Sequence, residues 1–197
     1  MAQTLRYVSQ ILSSLADNTQ GLISAVAMRD WLASTIDGKG LLEATDNVNI
    51  PIVADTWVSI NPLLVNAAHT ETFWSVDGNN YLFPNYAAAG GTTVPAGYTK
   101  FGQFMSILEL TKGGGGADAY QIQFTRNGVG IGEPESVDFP EAGTDTTTLL
   151  HPALVDVSVP TDLYGVQIMG IGTGDDLTLG YFTMQISDSI LLEDPTP

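Results

Sequence analysis

The chain has 197 residues, 44% of them hydrophobic and 14% charged, with 22 acidic side chains against 6 basic ones and a formal net charge of -16. That composition supports a packed core and excludes chain-wide disorder. It disfavours binding to bare nucleic acid or to an anionic membrane, since both need clustered Lys or Arg. The absence of cysteine excludes disulfide frameworks, thiolate metal sites and cysteine nucleophiles.

Residues 1–14 mix polar and apolar side chains around one Arg, unlike the uninterrupted apolar stretch of a signal peptide. No run of about 18 apolar residues is present, so a transmembrane helix is not expected. Charge is uneven along the chain. Residues 1–45 carry three basic and four acidic side chains, and residues 46–197 carry three and eighteen. The leading part is near neutral and the remainder strongly acidic.

The first 36 residues read as helical. Leu5, Val8, Leu12 and Leu15 line one helix face at spacings of 3, 4 and 3. The stretch from Asp17 to Gly21 breaks that pattern with turn residues. Ser24 can cap a second helix carrying Met28, Trp31, Leu32 and Thr35, and Gly38 with Gly40 ends it. Two helices this short bury little surface alone and need a host surface.

From Asn47 onward the period changes to 2. Candidate strands are Val48–Val53, Thr56–Ile60, Thr72–Val76, Tyr81–Phe83 and Gln103–Thr111. Tyr120, Ile122 and Phe124 alternate with polar residues, and Asn127-Gly128 follows as a hairpin-turn signal. Leu154–Val159 and Tyr164–Ile171 come next. Leu177, Leu179 and Tyr181 then alternate before the apolar phase slips to Phe182, Met184 and Ile186. A bulge beside Gly180, or burial of both faces, absorbs that slip. Many short strands with turn signals between them mean a β-sandwich or barrel.

The chemical motifs have plain alternatives. Gly113–Gly116 lacks the spacing of a phosphate loop and reads as a flexible hairpin tip. His69 with Glu71 shares a strand face but reads as an ordinary surface pair, and His151 reads as a loop residue. Asp175-Asp176, Glu133 with Glu135, and Asp77 to Asn80 can each offer oxygens to Ca²⁺, yet none has the calcium-loop spacing. No serine sits in a nucleophile elbow. No catalytic residue, metal ligand or cofactor site is assigned. Trp57, Phe73, Trp74, Tyr81, Phe83 and Tyr86 crowd one stretch. Core filling is the default for them, with a glycan-stacking surface or a subunit interface as alternatives.

The segment LADNTQGLISAVAMRDWLAS, residues 15–34, resembles a motif near the start of tailed-bacteriophage virion proteins. Asp17, Asn18, Gly21, Ile23, Arg29 and Asp30 carry the likeness, while Trp31 replaces a small aliphatic residue. The stretches Phe101–Thr111, Ala119–Gly128 and Leu163–Ile186 are similar to jelly-roll domains of the C1q and tumour-necrosis-factor type. These resemblances imply a mainly β fold, an antiparallel jelly-roll sandwich of residues 46–197, preceded by a helical attachment segment of residues 1–45. They also imply a non-enzymatic virion protein made in the host cytoplasm and placed on the capsid surface. Its expected role is capsid decoration or cement: a homotrimer that binds the major capsid protein, or other virion subunits, through Leu15, Asp17, Asn18, Ile23, Met28, Arg29 and Trp31. The alternative is a short fibre or spike domain that binds a host glycan.

Overall fold

The structure, a computed structural model, describes residues 38–45, 47–65, 67–72, 74–85, 101–141 and 145–189. Twelve strands run through them: β1 Gly38–Ala44, β2 Val48–Ile50, β3 Val58–Ser59, β4 Ala68–Thr72, β5 Trp74–Val76, β6 Leu82–Pro84, β7 Phe101–Lys112, β8 Asp118–Arg126, β9 Val129–Phe139, β10 Asp145–Asp156, β11 Tyr164–Ile171 and β12 Leu177–Ser189. A single 3₁₀ turn at Asn61–Leu63 is the one helical element among the described residues. The strands form two antiparallel sheets. The first runs β10-β7-β12-β1-β4, with β2 also on β12. The second runs β5-β6-β11-β8-β9, with β3 also on β11. The protein is therefore a mainly β, two-sheet sandwich.

Period-2 alternation builds both layers. In β7 every second residue from Gly102 to Lys112 is buried, and the intervening ones are not. Phe104, Leu108, Phe182 and Met184 of the first sheet meet Tyr120, Ile122, Tyr164 and Val166 of the second, each at most 0% exposed. Phe104 and Tyr164 centre the core with rings 4.9 Å apart. Trp74 packs edge-on against Phe104 at 5.9 Å and 89°.

Two local expectations hold. Asn127 and Gly128 have φ of 54° and 77° and turn β8 into β9, as a two-residue primed turn requires. The register of β12 on β7 shifts between Leu179 and Tyr181. The bulge at Gly180 keeps Leu177 and Leu179, then Phe182 and Met184, all facing the core.

Other expectations need correction. Gly38 and Gly40 do not end a helix. They lie in β1, which pairs with both β12 and β4. Gly40 stands against Trp74, where an added Cβ would lie 2.9 Å from the Trp74 Cβ. The last part of the expected 1–45 segment thus belongs to the sandwich. The helices expected before it lie outside the described residues. Gly113–Gly116 is not a hairpin tip, because β7 and β8 lie in different sheets and the run crosses between them.

The pairing also orients the molecule. Gly38 pairs with Asp188, and Phe101 with Ser189, at one end of the sandwich. Lys112 pairs with Leu177 at the other end. The chain therefore enters β1 and leaves β12 at the same end.

Candidate interaction surface

The outward face of the first sheet is the feature that a solvated β-sandwich does not need. Its rows follow from the strand register. Glu43, Thr183, Ile107 and Leu149 stand side by side across β1, β12, β7 and β10. Leu41, Gln185 and Met105 form the next row, and Ser187, Gln103 and Leu154 the one beyond. Leu154 is 70% exposed and Leu149 45%. Met105, Ile107 and Leu41 are half-buried. Directly opposed side chains on one face interact across about 5 Å, so Ile107 and Leu149 form a continuous apolar strip with Met105 beside them.

The second sheet differs. Its outward positions on β8 and β11 include Gln121, Gln123, Thr125 and Gln167, with Met169 and Ile171 the apolar members. The Gln167 amide donates to the Gln123 amide oxygen at 3.2 Å, and the Gln123 amide donates to the Gly132 carbonyl at 2.6 Å. These amides satisfy one another within the chain; Gln167 and Thr125 are buried, and Ile171 is the exposed apolar member of this face. Exposed apolar side chains gathered on one face mark candidate interaction sites, and Leu149 and Leu154 with the half-buried Met105 and Ile107 put that candidate on the first sheet.

One polar group on that face is tuned by its neighbours. Partial burial and the Glu43 and Glu109 carboxylates push the Tyr181 phenol above its ordinary value. Tyr181 therefore stays a neutral donor between two acids. Tyr is enriched at interfaces because it joins an apolar body to one hydrogen-bonding tip.

The expected contact residues Leu15, Asp17, Asn18, Ile23, Met28, Arg29 and Trp31 lie outside the described residues. So do Phe73 and Tyr86 of the aromatic stretch. Trp74 is 2% exposed and belongs to the core, which removes it as a platform for a sugar. Trp57, Tyr81 and Phe83 are half-buried. His69 and Glu71 fall on β4, opposite Leu42 and Gly40 of β1, and His151 falls on β10 rather than in a loop.

The acidic loops are occupied by their own chain. The Asp77 carboxylate accepts from the backbone N–H of Asn79 at 2.9 Å and of Tyr81 at 2.8 Å, shaping the turn between β5 and β6. Asp176 accepts from the N–H of Ile52 at 3.0 Å and the amide of Asn49 at 3.1 Å. Among the described residues no group of three His, Asp or Glu side chains is placed to hold a metal ion.

The apolar face had a readable signal. In FGQFMSILELTK, residues 101–112, apolar side chains occupy both parities of the strand: Phe104 and Leu108 on one side, Met105 and Ile107 on the other. A half-buried strand with a solvated back shows only one apolar parity.

No family model matches the chain, and no curated protein matches it. Solved structures with some likeness include the Eiger TNF of S. frugiperda, at 9% identity and a TM-score of 0.42 over 82% of this chain and 99% of that one. The vertex protein P5 of PRD1 is 12% identical, with a TM-score of 0.35 over 79% of this chain and 96% of that one. Dimeric latent PorU of Porphyromonas gingivalis is also 12% identical, with a TM-score of 0.36 over 79% of this chain and 13% of that one. These likenesses are too distant to bear on function.

Proposed function

We propose that this chain is a structural, non-catalytic protein of a bacteriophage virion, a jelly-roll subunit that self-associates as a trimer and decorates the capsid. The observation that carries the reading is the contrast between the two outward faces. The outward apolar residues Met105, Ile107 and Leu149, with Leu154 beyond the β10 bulge, are suited to a second copy of the chain, while the outward face of the other sheet is richer in amides that bond one another. The strand order supports the fold assignment. β1 lies beside β12, β6 beside β11, and each step from β6 to β12 except β8 to β9 crosses between sheets, which is how a jelly roll winds.

The resemblance of residues 15–34 to a motif near the start of tailed-bacteriophage virion proteins supports a partner within the virion, which we take to be the major capsid protein. The chain enters β1 at Gly38, at the end of the sandwich opposite Lys112. A protein that binds only the assembled shell stabilises it by mass action, by roughly 3–4 kcal/mol per site at 100–1,000 times Kd. Three linked copies add avidity.

Incubation with purified empty capsids tests the reading. Saturable binding by the full chain, lost on deleting residues 1–36 while the β circular-dichroism signature stays, is the expected result. Binding to host cells but not to capsids would replace decoration with the fibre reading.

A further inference from the structure

Lys112 ends β7 on its inward side, in line with Phe104, Leu108 and Leu110. Its side chain is fully buried. Removing an ammonium from water is costly unless charge and hydrogen bonds compensate it. Three groups do so: the Asp118 carboxylate, the carbonyl oxygen of Gly116, and the Asp175 carboxylate at 3.7 Å. They come from the start of β8, from the glycine run, and from the connection between β11 and β12.

The surrounding bonds extend the cluster. The Asp175 N–H donates to the Thr173 hydroxyl at 3.2 Å, and the Tyr120 hydroxyl donates to the Asp175 carbonyl at 3.0 Å. The neighbouring Asp176 holds Ile52 through its carboxylate and accepts the Gly113 N–H, at 3.2 Å, on its carbonyl. The glycine run, the start of β8 and the 172–176 connection therefore meet at one ammonium, and Asp176 ties Ile52 to the same connection.

One glycine of the run is explained by the same geometry. Gly115 has φ +72°, and a Cβ there would lie 1.9 Å from Asp175 Oδ2 and 3.4 Å from Lys112 Nζ. A side chain at Gly115 is excluded by both conformation and space. Gly115 is the position of the run that closure over the lysine reserves for glycine, whereas Gly114 and Gly116 have open space around them.

We infer that Lys112 is a tethered resident cation that locks the loops at this end by joining the carboxylates of Asp118 and Asp175, and that Gly113–Gly116 is the strap that closes over it. The loops at this end then keep one arrangement without divalent ions. This inference rests on the fold and not on the virion role.

Hydrogen exchange read by mass spectrometry on the full chain tests it. In the wild type, protection of residues 113–118 and 172–176 is expected to be the same in EDTA and in calcium. In Lys112→Met those two segments exchange roughly tenfold faster, while the middle of β8 and β11 stays protected. Unchanged exchange in Lys112→Met, or wild-type protection that requires calcium, overturns the inference. Should Lys112→Met fail to fold, Gly115→Ala keeps the lysine and displaces the strap. It is expected to loosen the same two segments, and unaltered exchange there is equally fatal.

Discussion

Asn61 is buried in full, yet both ends of its amide are paired. Its Nδ2 donates to the Asn80 carbonyl at 2.7 Å, and its Oδ1 accepts the Val166 N–H at 2.8 Å. Asn61→Ala strands the buried Val166 N–H, at about 1–3 kcal/mol, and frees the part-buried Asn80 carbonyl. Urea unfolding of that variant is expected to show a lower midpoint with an unchanged slope. Titratable residues set a second expectation. Burial, with the Asp118 and Asp175 charges, pushes the Tyr120 phenol up to about 12 from 10.0, and burial raises Tyr164 in the same direction. Raised values favour the neutral phenols in the fold, so their contribution is full below pH 10 and is lost as pH rises from 10 towards 12. Asp118 has the opposite sign. The Lys112 ammonium, by its hydrogen bond and then its charge, holds Asp118 below its ordinary 3.8. Its contribution is present above that value and is lost as pH falls below it. Melting temperature against pH is expected to fall on both flanks, below 3.8 and above 10, with exchange at residues 113–118 rising first on the acid side.

At the scale of the element, legibility followed the strength of the alternation. Tyr120, Ile122 and Phe124 with the Asn127-Gly128 turn gave β8 and its exit, and the β11 bounds of Tyr164–Ile171 were read in full. β9 was missed because Pro134, Glu133 and Glu135 disguise it. It is the edge strand of its sheet, where Pro and charge are tolerated and even useful. β1 was missed because its glycines read as a helix stop, whereas Gly40 makes room for Trp74, a contact from another strand. Most of β10 was missed because Thr146 to Thr148 precede the apolar part of the strand. The β8 to β9 turn carries this scale's prediction. Asn127 Nδ2 donates to Asp162 at 2.7 Å, and Asn127 Oδ1 accepts the Leu163 N–H at 2.9 Å. Gly128→Val forces a β-branched residue into the left-handed region at a cost of about 1–2 kcal/mol. Its unfolding midpoint is expected to drop, and an unmoved midpoint would show that the turn can change type freely.

For the molecule as a whole, the sequence disclosed a sandwich and a strong acidic balance, but not the apolar outward face of the first sheet. Met105 and Ile107 stand in the sequence as a second apolar parity that the strand assignment of Gln103–Thr111 passed over. Leu149 and Leu154 join them only through the register of β10 on β7, a pairing between distant segments that no local pattern encodes. A net charge of -16 opposes the approach of like copies, so association through an apolar face is expected to strengthen as added salt screens the repulsion. The charge of the face itself supplies the sharper test. Leu149→Glu with Leu154→Glu alters two exposed outward positions, where substitutions leave stability within about 0.5 kcal/mol. Sedimentation of the full chain against that double variant, over a range of concentrations, measures the claim directly. A trimeric wild type and a folded, monomeric variant are the predicted result. A wild type that remains monomeric throughout, or a variant that assembles equally well, would contradict it.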